Sequence, residues 1–226
     1  AGDASALSTI VTNMTDGTYD MIFSIATPPT QALVNSETDT PVFFCAVSAP
    51  TAAGILTDMD KPDKNATGTS NAIPVSKIID LAQATTPVKK IGLIYSGNED
   101  NATNTVKQCE EYLKSINVEY VEKTGTTNDE ISLAADALVA AGVDAVFTPT
   151  DNTVMTAELA IYEKFVEAGI PHYAGADSFA LNGAFCGFGV NYVDLGTATA
   201  DIVVDILVNG KDPATTAVQT MSNGIA

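Results

Sequence analysis

Side chains that can hold a small polar molecule recur in this chain at the turns that follow apolar runs. They are Thr27-Pro28, Ser48-Ala49-Pro50, Gly97-Asn98-Glu99-Asp100-Asn101, Thr150-Asp151-Asn152-Thr153 and Asp177-Ser178. Each turn ends a strand-like run and several open a helix-like one, so together they bring hydroxyl, amide and carboxyl groups close to backbone N–H groups of helix starts. Such a set suits a zwitterion: a carboxylate sits well on helix N-termini, and an ammonium group needs an acid, for which Asp151 and Asp177 are candidates. Thr27, Pro28, Ser48, Asn98, Asn101, Thr150, Asp151, Asn152 and Asp177 are therefore the candidate ligand-binding residues. The same residue types also serve as N-caps, each worth ~1 kcal/mol to its helix, and either role accounts for any one of them taken singly.

The elements that position these turns are written twice. Tyr19-Asp20-Met21-Ile22-Phe23-Ser24-Ile25-Ala26-Thr27-Pro28 returns as Val143-Asp144-Ala145-Val146-Phe147-Thr148-Pro149-Thr150, a strand that stops at a Thr/Pro turn and opens a helix. In both halves an amphipathic stretch precedes the copy, and a Pro-led strand follows it, starting at Pro41 and Pro171. Strands alternating with helices at this rhythm predict right-handed crossovers and parallel sheets, with ligands at the carboxyl edge. The fold class is α/β, with two doubly wound parallel-sheet lobes joined by several crossovers. The spacing places residues 1–85 and about 190–212 in an N-terminal lobe, and 86–189 and about 213–226 in a C-terminal lobe. The second half opens with an extra strand, helix and strand over residues 90–123, so the first lobe is expected to lack its opening strand-helix unit.

Composition narrows the function. The chain carries 28 acidic residues against 10 basic ones, a net charge of −18, and every basic residue is lysine. That charge repels a phosphate backbone, so no nucleic-acid partner is expected. Without arginine, a ligand anion cannot be gripped by a guanidinium fork, and helix N-termini and hydroxyls must serve. Cys45, Cys109 and Cys186 lack paired spacing and read as buried free thiols; no metal and no cofactor is expected. Asp151-Asn152-Thr153 after a strand has part of an aspartyl-phosphatase pattern, with threonine where the second acid belongs. Gly187-Phe188-Gly189 begins like a dinucleotide loop, lacks the third glycine, and is apolar enough to be a strand. His172, the single histidine, has no nucleophile pattern nearby and reads as structural.

In order and in register, several segments resemble the ABC transporter substrate-binding protein family that includes tryptophan- and other aromatic amino-acid-binding lipoproteins. They are Ile25–Ala32, Pro41–Pro50, Asn65-Ala66-Thr67-Gly68, Ile91–Tyr95, Asn98–Ala102, Pro149–Val154 and Gly189–Gly196. The resemblance covers the whole chain and implies a type I periplasmic-binding-protein fold. It implies a receptor outside the cytoplasm, periplasmic or lipid-anchored, that closes on a small solute such as an amino acid and delivers it to a membrane permease. Family members commonly have Ser-Asp-Pro where this chain has Ser48-Ala49-Pro50, which removes one acid from the expected site. A stacking partner for an aromatic ligand would come from Tyr95, Phe179, Tyr192 or the opening unit that the first lobe is expected to lack. The alternative on the same fold is the ligand-sensing domain of a regulator or receptor; a phosphatase-type enzyme is the weaker one.

Overall fold

The computed structural model describes residues 4–221 and 224–225. In chain order the elements are α1 (Ala4–Met14), β1 (Ile22–Ile25), α2 (Thr27–Asn35), β2 (Val42–Cys45), β3 (Ala66–Ser70), α3 (Val75–Thr85), β4 (Lys90–Ser96), α4 (Asp100–Ser115) and β5 (Glu119–Gly125). There follow α5 (Asn128–Ala140), β6 (Ala145–Thr148), α6 (Asn152–Glu167), β7 (His172–Ala174), α7 (Asp177–Leu181), β8 (Cys186–Gly189), α8 (Tyr192–Leu207), a 3₁₀ turn at Pro213–Thr215, β9 (Gln219–Thr220) and β10 (Gly224–Ile225). Two compact units result, Ala1–Ala72 with Asn191–Ser222 and Ile73–Val190 with Asn223–Ala226.

The first unit holds a parallel sheet in the order β1-β2-β3-β9. Successive strand residues point to opposite faces, and the two neighbouring phenylalanines of β2 show it. Phe44 packs with Ile22, Leu33, Val34, Val42 and Ile55 on the side of α2, whereas Phe43 packs with Ile202 and Ile206 of α8. β1 forms the sheet edge, pairing Phe23 with Phe43 and Ser24 with Phe44. It buries Ile22 and Ser24 and leaves Phe23 and Ile25 exposed.

The second unit has a six-stranded sheet in the order β10-β8-β7-β6-β4-β5, parallel except for β10 against β8. On one face Ile94, Val146 and Ala174 pack under Ile131, Leu138, Val154, Ile161 and Phe165 of α5 and α6. On the other, Ile91, Leu93, Ala145, Phe147 and Tyr173 pack under Ile78 and Ile79 of α3 and Val106, Cys109 and Leu113 of α4. This apolar layer puts α3 in the second unit, so the chain divides after Ala72 rather than at residue 85. Residues 213–222 belong to the first unit rather than the second, because β9 pairs with β3 and Val218 N–H donates to Met59 O at 2.8 Å. All three cysteines are free and buried, and burial lifts the Cys109 thiol to about 12, which keeps it protonated and inert.

Glycines in the second sheet mark close contacts. A Cβ at Gly92 in β4 would lie 3.0 Å from both terminal carbons of Leu138 and 3.3 Å from Val143 Cγ2. Gly92→Ala is therefore expected to overpack the α5 face and lower stability by ~1–3 kcal/mol, read as a shift of the urea midpoint. Gly187 and Gly189 lie in β8, and the dinucleotide-loop reading fails there. A Cβ at Gly187 would come within 2.3 Å of Ala176 O, and one at Gly189 within 2.6 Å of Asp177 Cβ. Their small size admits the start of α7, not a phosphate.

Candidate functional site

The repeated segment becomes β1-α2 in the first unit and β6-α6 in the second, and each repeat ends at a carboxyl edge. The two helix starts are finished differently. Before α2, Ala26 takes the left-handed conformation (φ 75°), gives no side-chain cap, and is followed by Pro28 and Pro29, which carry no N–H. Two of the four donors that a helix start leaves open are thereby removed, and no acidic residue stands in the first turn. Ser24 Oγ meets Thr30 Oγ1 at 2.8 Å, and Thr30 Oγ1 donates to Ala26 O. Ala46, at the end of β2, is also left-handed (φ 59°). Non-glycine residues held there store roughly 1–3 kcal/mol each and gather at functional edges. Next to Ala46, Ser48 is buried and its Oγ donates to Asn71 Oδ1 at 3.0 Å. Thr27 is buried at the first position of α2 and Pro28 is half-buried.

In the second unit Asn98, Asn101, Thr150, Asp151 and Asn152 each take part in hydrogen bonds at the carboxyl edge. Asp151 caps α6, its Oδ1 accepting from Val154 N–H at 2.9 Å and its Oδ2 from Ser96 N–H at 2.6 Å. Asn101 Nδ2 donates to Thr150 O at 2.8 Å, Thr150 Oγ1 donates to Gly175 O at 2.9 Å, and Ser96 Oγ donates to Asn98 Oδ1. Asn152 is exposed, and Asp177 is half-buried at the first residue of α7. Burial, reinforced by the charge of Glu99, raises the Asp151 carboxyl to about 7, against the pull of the Val154, Ser96 and Thr153 N–H groups. Asp151 is buried and both its carboxyl oxygens accept backbone N–H groups, so it is not presented as the free nucleophile that the aspartyl-phosphatase pattern would need.

Glu99, Ser96 and Asn71 join these edges without having been singled out in the sequence. Glu99 lies within a turn of suspected importance, yet its partners stand 53 and 54 positions further along the chain, and no local spacing announces them. Of the aromatic residues considered for stacking, Tyr192 is exposed at the start of α8 and the Tyr95 hydroxyl donates to Glu122 at 2.9 Å. Phe179 is buried in the core, its ring 6.1 Å from that of His172, so it is a packing residue.

Thr148, His172 and Glu158 line up as hydroxyl, imidazole and carboxyl. Thr148 Oγ1 lies 2.7 Å from His172 Nε2, and His172 Nδ1 lies 3.1 Å from Glu158 Oε1. The order is that of a nucleophilic relay, but Thr148, His172 and Glu158 are 0, 2 and 0 % exposed, and no substrate reaches them. Two surface grooves lie at the amino ends of the strands, beside Val42 and Ala66 in one unit and beside Lys90 and Glu119 in the other. Among the described residues no group of three His, Cys, Asp or Glu side chains could hold a metal ion, and no helix is long and apolar enough to cross a membrane.

Comparison with known proteins places this arrangement. A structure of an ABC domain in complex with L-Trp from Streptococcus pneumoniae superposes with a TM-score of 0.93 at 30% identity, covering 99% of this chain and 75% of that one. A conserved domain protein from Vibrio cholerae superposes with a TM-score of 0.93, also at 30% identity, covering 98% of this chain and 75% of that one. The fold is that of the type I periplasmic-binding proteins. The family model for the ABC transporter substrate binding protein matches residues 1–225, and the chain belongs to that family, which is one of binding proteins and not of enzymes. A tyrosine-binding protein of Clostridioides difficile is 31% identical over 222 residues, which are 96% of this chain; the chain spans 64% of that relative's length.

Proposed function

We propose that this protein is the solute-binding component of an ABC importer, acts outside the cytoplasm, binds an amino acid with an aromatic side chain, and passes it to a membrane permease without chemical change. The observation that carries the proposal is the family match over residues 1–225, joined to relatives described as binding tyrosine and L-Trp. The candidate contacts are Thr27, Pro28 and Ser48 from the first unit, with Asn98, Asn101, Thr150, Asp151, Asn152 and Asp177 from the second.

Thermal unfolding in the presence of single L-amino acids tests this directly. L-Tyrosine or L-tryptophan at 100 times its dissociation constant is expected to stabilise the chain by ~2.7 kcal/mol, with alanine, sugars and nucleosides giving no shift. Stabilisation by a sugar or a nucleoside and by no amino acid would overturn the proposal.

A further inference from the structure

The N-terminus of α6 is the obvious anion site of the second unit, and the chain fills it with an anion of its own. Glu99, 5% exposed, turns its carboxylate onto the first residues of this 16-residue helix. Oε1 accepts from Asn152 N–H at 3.0 Å, from Thr153 N–H at 3.1 Å and from Thr153 Oγ1 at 3.2 Å, while Oε2 accepts from Asn152 Nδ2 at 2.7 Å. Asp151 takes the next amide, Val154 N–H. Three consecutive N–H groups, which carry most of the roughly half positive charge of a helix start, are thus satisfied from within. The repeat provides the contrast, because α2 begins with neither an acid in its first turn nor a side-chain cap.

A second observation concerns what remains at this edge. Asn101 is 3% exposed and its Nδ2 is committed to Thr150 O, while its Oδ1 has no hydrogen-bond partner among the described residues. The ion pairs of the described residues involve Lys114, Lys164, His172 and Lys211, and none of them reaches Glu99 or Asp151. The edge therefore holds the Glu99 carboxyl group and, without a donor among the described residues, the amide oxygen Asn101 Oδ1.

We propose that Glu99 determines specificity, as a built-in carboxylate that occupies the anion site of α6, bars ligand carboxylates from the second unit's edge and leaves that edge to receive an ammonium group. This rests on the reading of the protein as an amino-acid receptor. Glu99 acts on the ligand through α6 and through charge, so the test must separate it from a merely structural role.

Glu99→Gly vacates the site, and Glu99→Gln keeps its shape while removing the charge. Sodium acetate titrated at constant ionic strength against sodium chloride is expected to give a saturable rise in the melting temperature of Glu99→Gly and none in the wild type. An equal response of the two proteins, or none in either, overturns the proposal, and this arm stands even if the wild type binds no aromatic amino acid. In the second arm, the dissociation constants of tyramine and of 3-(4-hydroxyphenyl)propanoate are compared. The wild type is expected to prefer the amine, and Glu99→Gln to reduce that preference at least tenfold. An unchanged ratio in a protein that still binds L-tyrosine overturns this inference and leaves the receptor reading intact. Should Glu99→Gly fail to fold, the Glu99→Gln ratio decides alone.

Discussion

Replacing His172 by alanine is expected to lower the stability of the protein by about 3–5 kcal/mol, because it strips a fully buried carboxyl of its only partner among the described residues. Glu158 lies in the apolar layer built by Val154, Ile161, Phe165 and Phe179, where its Oε1 meets the imidazole and its Oε2 has no partner among the described residues. An unsatisfied carboxyl in such surroundings keeps the full penalty of leaving water. Glu158→Leu alone leaves the imidazole with Thr148 as its one hydrogen-bond partner and is expected to be damaging as well. The double variant Glu158→Leu/His172→Phe removes both polar groups and extends the aromatic contact with Phe165, whose ring lies 5.4 Å from the imidazole. Its destabilisation is expected to fall short of the sum of Glu158→Leu and His172→Phe, each made alone, by at least ~2 kcal/mol in urea unfolding. Simple additivity would show that the imidazole and carboxyl act independently.

A second large effect concerns pH. The Asp151 carboxyl is raised to about 7 in the folded chain, first by burial and then by the neighbouring charge of Glu99, whereas the unfolded chain restores it to its ordinary value near 3.8. Between those values the folded state keeps a proton that the unfolded state has released. Unfolding then gives up a proton, so rising pH favours it: this group's contribution is intact below about pH 4 and is lost as pH rises through 7. A shift of that size corresponds to a few kcal/mol across the window, since each pKa unit is worth about 1.4 kcal/mol. Asp144, held low by the N–H groups of Lys90 and Lys89, acts with the opposite sign and only in acid. Urea unfolding from pH 4 to pH 8 should show a stability that declines toward neutrality in the wild type and is much flatter in Asp151→Asn. Parallel profiles for the two proteins would refute the assignment.

The repeated architecture was legible because it rests on local signals. Apolar runs ending at Thr27-Pro28 and at Pro149-Thr150 carry both the strand and its stop, and the structure has a strand followed by a helix at each. The division at Ala72 was not legible, since it depends on which sheet Ile78 and Ile79 pack against, a contact with β4, β6 and β7 that no spacing within α3 encodes. At the site, the turns could be read and their wiring could not. Asp151 has the same appearance in sequence whether it faces water or caps α6 in the core, and burial is what separates those states. Glu99 was hidden for a related reason: a glutamate in a polar turn is ordinarily solvated, and its hydrogen bonds to Asn152 and Thr153 exist only once β4 and β6 pair and bring the turn after β4 beside the start of α6.

The interleaving of the two units has a consequence for how the protein is made. Synthesis runs from the N-terminus, and domains fold as their last residues emerge. The second unit is an uninterrupted stretch from Ile73 to Val190 apart from β10, whereas the first waits for Asn191–Ser222. Although β1, β2 and β3 leave the ribosome before the second unit, they stay without α8 and β9 until more than a hundred further residues, Ile73–Val190, have been added. Phe43, sealed by Ile202 and Ile206 in the finished molecule, is uncovered on the nascent chain throughout that time. The older half in order of synthesis is thus the younger in order of folding, and the nascent chain needs protection at the β2 face rather than at its growing end.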